Sequence, residues 1–136
     1  MNSQQIGALI LRIALGLTFF IHGLSKFQGG IENTAGFFQT LGLPGLAAYV
    51  VALIELIGGI AMILGFGTRI VAALFAIILA GAIVKVKLAA GFLGNGQGAG
   101  YELDFILLAV SVYFILNKPA SLSLDTKLFQ SNVSQS

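Results

Sequence analysis

Hydrophobic residues run through this chain in four long blocks rather than in alternation. Residues 6–27, 46–65, 69–90 and 101–116 are each nearly continuous in Leu, Ile, Val, Ala, Gly and Phe. Continuous runs predict α-helices, because a closed membrane barrel needs apolar and polar residues to alternate. At a rise of about 1.5 Å per residue the first three blocks reach about 30 Å, the thickness of a bilayer's hydrocarbon core. The fourth is shorter, so a crossing there has to begin within the preceding loop. The predicted fold class is all-α integral membrane, a four-transmembrane-helix bundle.

The connections carry different punctuation. Residues 28–45 hold Asn33 as a cap, the apolar set Ala35, Phe37, Phe38 and Leu41, and Gly42 followed by Pro44 as a stop. This predicts a short helix lying at the membrane interface between helices 1 and 2. Gly65-Phe66-Gly67-Thr68 joins the second and third blocks tightly enough to force an antiparallel hairpin. Residues 91–100 contain five glycines, and Gly94-x-Gly96-x-x-Ala99 formally matches a dinucleotide fingerprint. No strand precedes it and no βαβ unit surrounds it, so a flexible loop is the expectation. The first block outruns a signal-peptide core and lacks a small-residue cleavage site, which predicts a retained helix. A single membrane domain over residues 1–128 and a polar tail over 129–136 complete the organisation.

Composition sharpens this picture. Of 136 residues, 57% are hydrophobic and 9% charged, against about 25% charged in a soluble domain. Lipid is therefore the solvent for much of the surface. Net charge is +2, from seven Lys/Arg and five Asp/Glu, with no basic run to track phosphates, so nucleic acid is not an expected partner. Cysteine is absent and there is one histidine. That removes disulfides, iron–sulfur clusters, Cys-based zinc sites and a bis-His haem within one chain; no metal site is expected. Redox chemistry here would place its electrons on a bound organic molecule or a partner. Arg12, Arg69, Lys118 and Lys127 fall toward the side of the termini, and Lys26, Lys85 and Lys87 toward the other; the excess favours both termini in the cytoplasm.

The candidate chemistry lies in the few polar residues. Glu55 is the one charge between residues 46 and 65, and a carboxylate at mid-bilayer is costly unless paired or functional. On a helical wheel Arg12, Gly16, Phe19, Gly23 and Lys26 fall within about 40° of one direction, with His22 at the edge. Glu55, Gly59 and Met62 share a stripe, with Gly58 beside it. Glycines on both stripes allow close helix approach. By depth, the expectation is an Arg12–Glu55 ion pair, either organising a catalytic interior or simply locking two helices together. His22, Lys26, Lys85 and Glu102 would form a polar mouth at the opposite face. His22 exchanges a proton near neutral pH; otherwise it is an interfacial histidine bonded to backbone or water. The lysines read equally as snorkelling residues, and Lys85 and Lys87, two apart, are not expected to line one pocket. Glu102 shares a stripe with Ala109 and Tyr113, whereas Asp104 points elsewhere. Phe19, Phe20 and Tyr113 are candidates to flank an aromatic ligand.

These residues, taken in order, resemble the DoxX family of small bacterial membrane proteins. The match runs through Leu11-Arg12-Ile13, Gly16-Leu17-Thr18-Phe19, His22-Gly23 and Lys26, then Leu41-Gly42-Leu43-Pro44, Glu55-x-x-Gly58-Gly59, Gly65 and Thr68-Arg69. It closes with Gly100-x-Glu102 and Ser123-Leu124-Asp125. Lys118-Pro119-Ala120 departs from the common Gly-Pro-Gly and puts only that turn in question. Ile31-Glu32-Asn33-Thr34-Ala35 resembles a Firmicute branch linked to catechol and hydroquinone tolerance. The resemblance implies a four-helix membrane protein, named in places as a quinone-linked oxidoreductase subunit. The expected function is then quinone- or catechol-related redox metabolism and aromatic-compound detoxification under stress. His22, Glu55 and Arg12 would be the catalytic candidates, and His22, Lys26, Glu102, Phe19 and Tyr113 would bind the quinone. No cofactor beyond a bound quinone is expected. The partners would be the lipid bilayer, a soluble redox enzyme and further copies of the chain. A permease for an aromatic solute and a membrane anchor for a soluble enzyme are the alternatives.

Overall fold

The computed structural model describes residues 2–117 and Asp125; the expectations for residues 118–120, 123–124 and 129–136 lie outside it. The chain forms α1 (Ser3–Gln28), α2 (Ile31–Thr40), α3 (Gly45–Leu64), α4 (Thr68–Ala82) and α5 (Glu102–Leu116). A π turn, Ile83–Lys87, and a 3₁₀ turn, Leu88–Ala90, extend α4. Among the described residues, three helices are long and apolar enough to cross a membrane: Ser3–Gln28, Gly45–Leu64 and the extended Thr68–Ala90. The fourth, α5, has 15 residues and so spans only about 22 Å. No strand occurs among the described residues.

Local chemistry sets the helix ends. Asn2 and Gln5 form a reciprocal capping box at the start of α1. Gly65, left-handed at φ 74°, stops α3, and Gly67 at φ 59° starts α4, so the hairpin needs two residues without a Cβ penalty. The glycine-rich connection is a loop with hydrogen bonds of its own. Asn95 Oδ1 accepts from the Gln97 and Gly98 amides at 3.1 and 2.9 Å. Gly94 and Ala99 form an isolated bridge, and a Cβ on Gly100 would collide with the Phe92 carbonyl and the Gly94 amide. The glycines permit a close backbone fold-back that composition alone reads as looseness.

The helices associate as two main pairs, α1 with α3 and α4 with α5, and α2 packs mostly on α3. The α1–α3 crossing is glycine on glycine. A Cβ at Gly16 would lie 2.6 Å from the Gly59 carbonyl oxygen, and one at Gly59 would lie 2.6 Å from that of Gly16. Gly23 repeats the approach against Ala52 and Leu56. Lipid tails supply no hydrophobic drive between helices, so such contacts hold the pair by dispersion. The two pairs meet at a core of Leu15, Phe19, Met62, Ala72, Phe75, Leu79 and Phe114. Phe19 and Phe75 stack at 3.7 Å and 5°, and Gly58 makes room for the Phe75 ring.

Candidate functional site

Beyond the Phe19–Phe75 stack, toward the C-terminal end of α1, the helix pairs separate around a cavity of about 540 Å³. That volume lies within the usual range for small-molecule sites, roughly 300–1,000 Å³. Its walls are mostly apolar: Phe19, Val51, Ile78 and Leu107, with Phe37, Phe38 and Leu41 of the α2 segment closing one side. Six ionisable side chains enter it: His22, Lys26, Glu55, Lys85, Lys87 and Asp104.

Glu55 is 5% exposed and takes Lys26, whose Nζ donates to Oε2 at 2.8 Å and Oε1 at 3.0 Å. The expected Arg12–Glu55 pair does not form. The glycine contacts set the α1–α3 register, with Gly16 against Gly59 and Ile63, and Gly23 against Ala52 and Leu56. By that register Lys26 lies about four residues, roughly 6 Å, beyond Glu55, while Arg12 comes level with the α3–α4 hairpin. Side chains also tilt toward their own helix N-terminus. In antiparallel α1 and α3, Lys26 and Glu55 therefore lean toward each other, and Arg12 and Glu55 lean apart. Depth counted from the ends of the apolar blocks missed both effects.

The opposite wall carries a second ion pair, Lys87 Nζ to Asp104 Oδ2 at 2.8 Å. Asp104, buried at 8% exposure, and not Glu102, which is exposed, is the α5 carboxylate on the cavity. The sequence did contain the signal: Asp104 and Ser111 are seven residues apart and are the polar positions past the first residues of α5, so they mark one face. Ser111 is fully buried. Lys85 and Lys87 both line the cavity, against expectation. The π turn over Ile83–Lys87 advances each residue by less than an α-helix does. By Lys87 the lag approaches one residue, about 100°, which carries it onto the stripe of buried Leu79. Lys85 reaches in beside Ile78 and Ala82.

His22 stands at the open mouth. Its Nδ1 lies 2.7 Å from the Thr18 carbonyl oxygen, which can only accept, so Nδ1–H donates and the neutral ring presents Nε2 as an acceptor. Phe19 lines the cavity. Tyr113 does not; it lies near the far end of α5, edge-on to Phe114. Arg12, 2% exposed, belongs to a separate cluster at the hairpin, where the charge of Asp125 acts on it. There Asp125 accepts from the Gly67 amide at 2.7 Å and the Thr68 amide at 2.9 Å, capping α4 from the distant end of the chain. Arg69 Nε donates to the Ile115 carbonyl at 2.9 Å, satisfying the last turn of α5. No group of three or more metal-ligating side chains occurs among the described residues.

Three apolar helices of membrane-crossing length, bordering a mostly apolar cavity that a few ionisable side chains enter, define a small polytopic membrane protein. The DoxX family profile matches residues 7–88, and the chain belongs to the DoxX family. It is 49% identical over 129 residues to a Bacillus subtilis protein named "Putative oxidoreductase CatD", spanning 95% of this chain and 92% of that one. It is 29% identical over 130 residues to "Uncharacterized membrane protein Rv3486" of Mycobacterium tuberculosis, spanning 88% and 80%. Over 66 residues it is 33% identical to "Inner membrane protein YqjF" of Escherichia coli, spanning 48% and 50%. No solved structure matches.

Proposed function

We propose that this protein binds an oxygenated aromatic ring, a quinone or a catechol, in the cavity between its helix pairs and serves as a membrane oxidoreductase subunit. One observation carries the reading. An apolar cavity of about 540 Å³ is furnished with an imidazole, two lysine–carboxylate pairs on facing walls and a third lysine, Lys85. The apolar body suits the ring, and Nε2 of His22 with the lysine ammonium groups suits oxygens at its edge. Proton exchange with those oxygens falls to His22. Electrons would pass between the ring and a soluble redox enzyme, to a quinone as it is reduced or from a catechol as it is oxidised, in keeping with the oxidoreductase name of the Bacillus subtilis relative. In this reading α5 completes a fourth crossing together with the folded 91–100 segment, α2 lies at the bilayer interface, and both termini face the cytoplasm of a bacterial cell.

The test is direct binding of a short-chain quinone and of catechol to the chain in lipid nanodiscs, wild type against His22→Ala and Glu55→Gln. Saturable binding that weakens in both folded variants supports the site. A His22→Ala protein that binds unchanged removes His22 from it. Well-folded wild type that binds neither ligand refutes the reading.

A further inference from the structure

The charges that face the cavity do not cancel. From α1 come His22 and Lys26, from α3 Glu55, from the extension of α4 Lys85 and Lys87, and from α5 Asp104; the α2 segment contributes apolar side chains. Glu55 is taken by Lys26 and Asp104 by Lys87. All five carboxylate side chains of the chain are among the described residues. Glu32 and Glu102 are exposed and do not line the cavity. Asp125 caps α4 at the other end of the bundle. Lys85 thus has no carboxylate within ion-pair distance among the described residues, and with neutral His22 the cavity holds one cation in excess.

We infer that the cavity selects a ligand carrying a single negative charge, an aromatic-sized apolar monoanion such as a phenolate, with Lys85 as its counter-ion. This rests on the ring-binding reading and narrows its substrate class. Lys85 is itself exposed, but a ligand anion held against the apolar walls it borders is screened less than one in water, so one uncancelled ammonium biases which protonation state of a ligand binds. The Nε2 acceptor of His22 adds a second preference. It takes a hydrogen bond from a neutral hydroxyl and offers none to an oxyanion, so a ring with one hydroxyl and one adjacent oxyanion satisfies both groups.

The probe is 4-nitrophenol, whose anion absorbs visible light and whose neutral form does not, with 4-nitroanisole as a neutral companion of similar shape. Both are titrated against the full chain in nanodiscs, with empty nanodiscs subtracted. At the pH where free dye is half ionised, bound dye is expected to be predominantly anionic. Lys85→Met should remove that bias and weaken dye binding about tenfold, while Lys85→Arg keeps both and 4-nitroanisole binds all three proteins alike. Dye that binds without added anion absorbance, or with equal affinity to Lys85→Met, overturns the charge selection and leaves the ring-binding reading standing. Failure of both compounds to bind the wild type overturns the charge selection, and the quinone and catechol titration decides the ring-binding reading separately.

Discussion

Severing the Lys26–Glu55 pair from its two sides should have unequal consequences. Lys26→Met strands Glu55, whose side chain is 5% exposed, in an apolar wall. Its escape is to take a proton. For a carboxyl with an ordinary value of about 4.3 this costs about 1.4 kcal/mol per pH unit, so just under 4 kcal/mol at pH 7 and about 1 kcal/mol at pH 5. The loss is thus capped, and it shrinks as pH falls. Glu55→Gln strands Lys26 instead, but its side chain is 23% exposed and α1 ends two residues later at Gln28. The ammonium can extend toward the headgroups, limiting the loss to about 1–2 kcal/mol. The double variant holds neither charge and should be more stable than the summed losses predict, by about 2 kcal/mol. Unfolding of the four proteins in detergent at pH 7 and pH 5 measures all of this. Additive losses, or a Lys26→Met protein no better at pH 5 than at pH 7, would refute the reasoning.

Other outcomes follow from neighbouring features. Arg12→Gln and Glu55→Gln should combine additively in the same unfolding assay, because the α1–α3 register sets them apart; strong coupling would restore the rejected pair. Gly59→Ala puts a methyl 2.6 Å from the Gly16 carbonyl and the Phe20 amide and should cost about 1–3 kcal/mol, read as a lowered thermal midpoint; an unchanged midpoint would mean the crossing is loose. Asp125→Ala should cost about 1–2 kcal/mol through the lost α4 cap and leave quinone affinity intact; a lost affinity with an unchanged midpoint would contradict that assignment. Asp104→Asn should alter ligand affinity in nanodiscs while Glu102→Gln does not, and the reverse order would move the α5 contribution to the other acid.

Much of the architecture was legible because lipid imposes simple rules. Continuous apolar blocks gave the long helices, and Gly65 with Gly67 gave the tight hairpin. The glycines on the Gly16–Gly23 and Glu55–Gly59 stripes correctly pointed to close helix approach. The site was harder to read because its residues are brought together by offsets that a wheel or a ruler cannot supply. The α1–α3 register came from interlocking glycines, and it moved Arg12 away from Glu55. The π turn rotated Lys87 toward Asp104, an effect invisible to a fixed 100° step. The 91–100 segment is the loop expected, but its glycine content did not show that Gly94 and Gly100 admit close backbone neighbours. His22, Lys26, Glu55 and Phe19 were each identified as candidates from sequence and do meet on one cavity; Glu102, Tyr113 and Arg12 lie elsewhere.

The cap on α4 also gives the protein a built-in order of assembly. Thr68 and the carboxylate that caps it are 57 residues apart in sequence. At about 5–20 residues per second, the ribosome delivers that carboxylate roughly 3–11 s after the hairpin. Until then the first turn of α4 presents open amide groups, and the hairpin waits in an unfinished state. Arrival of Asp125 closes it, and the same residue brings a negative charge beside the buried Arg12. A nascent chain that stops short of residue 125 lacks this last latch, so the hairpin itself distinguishes finished from unfinished copies.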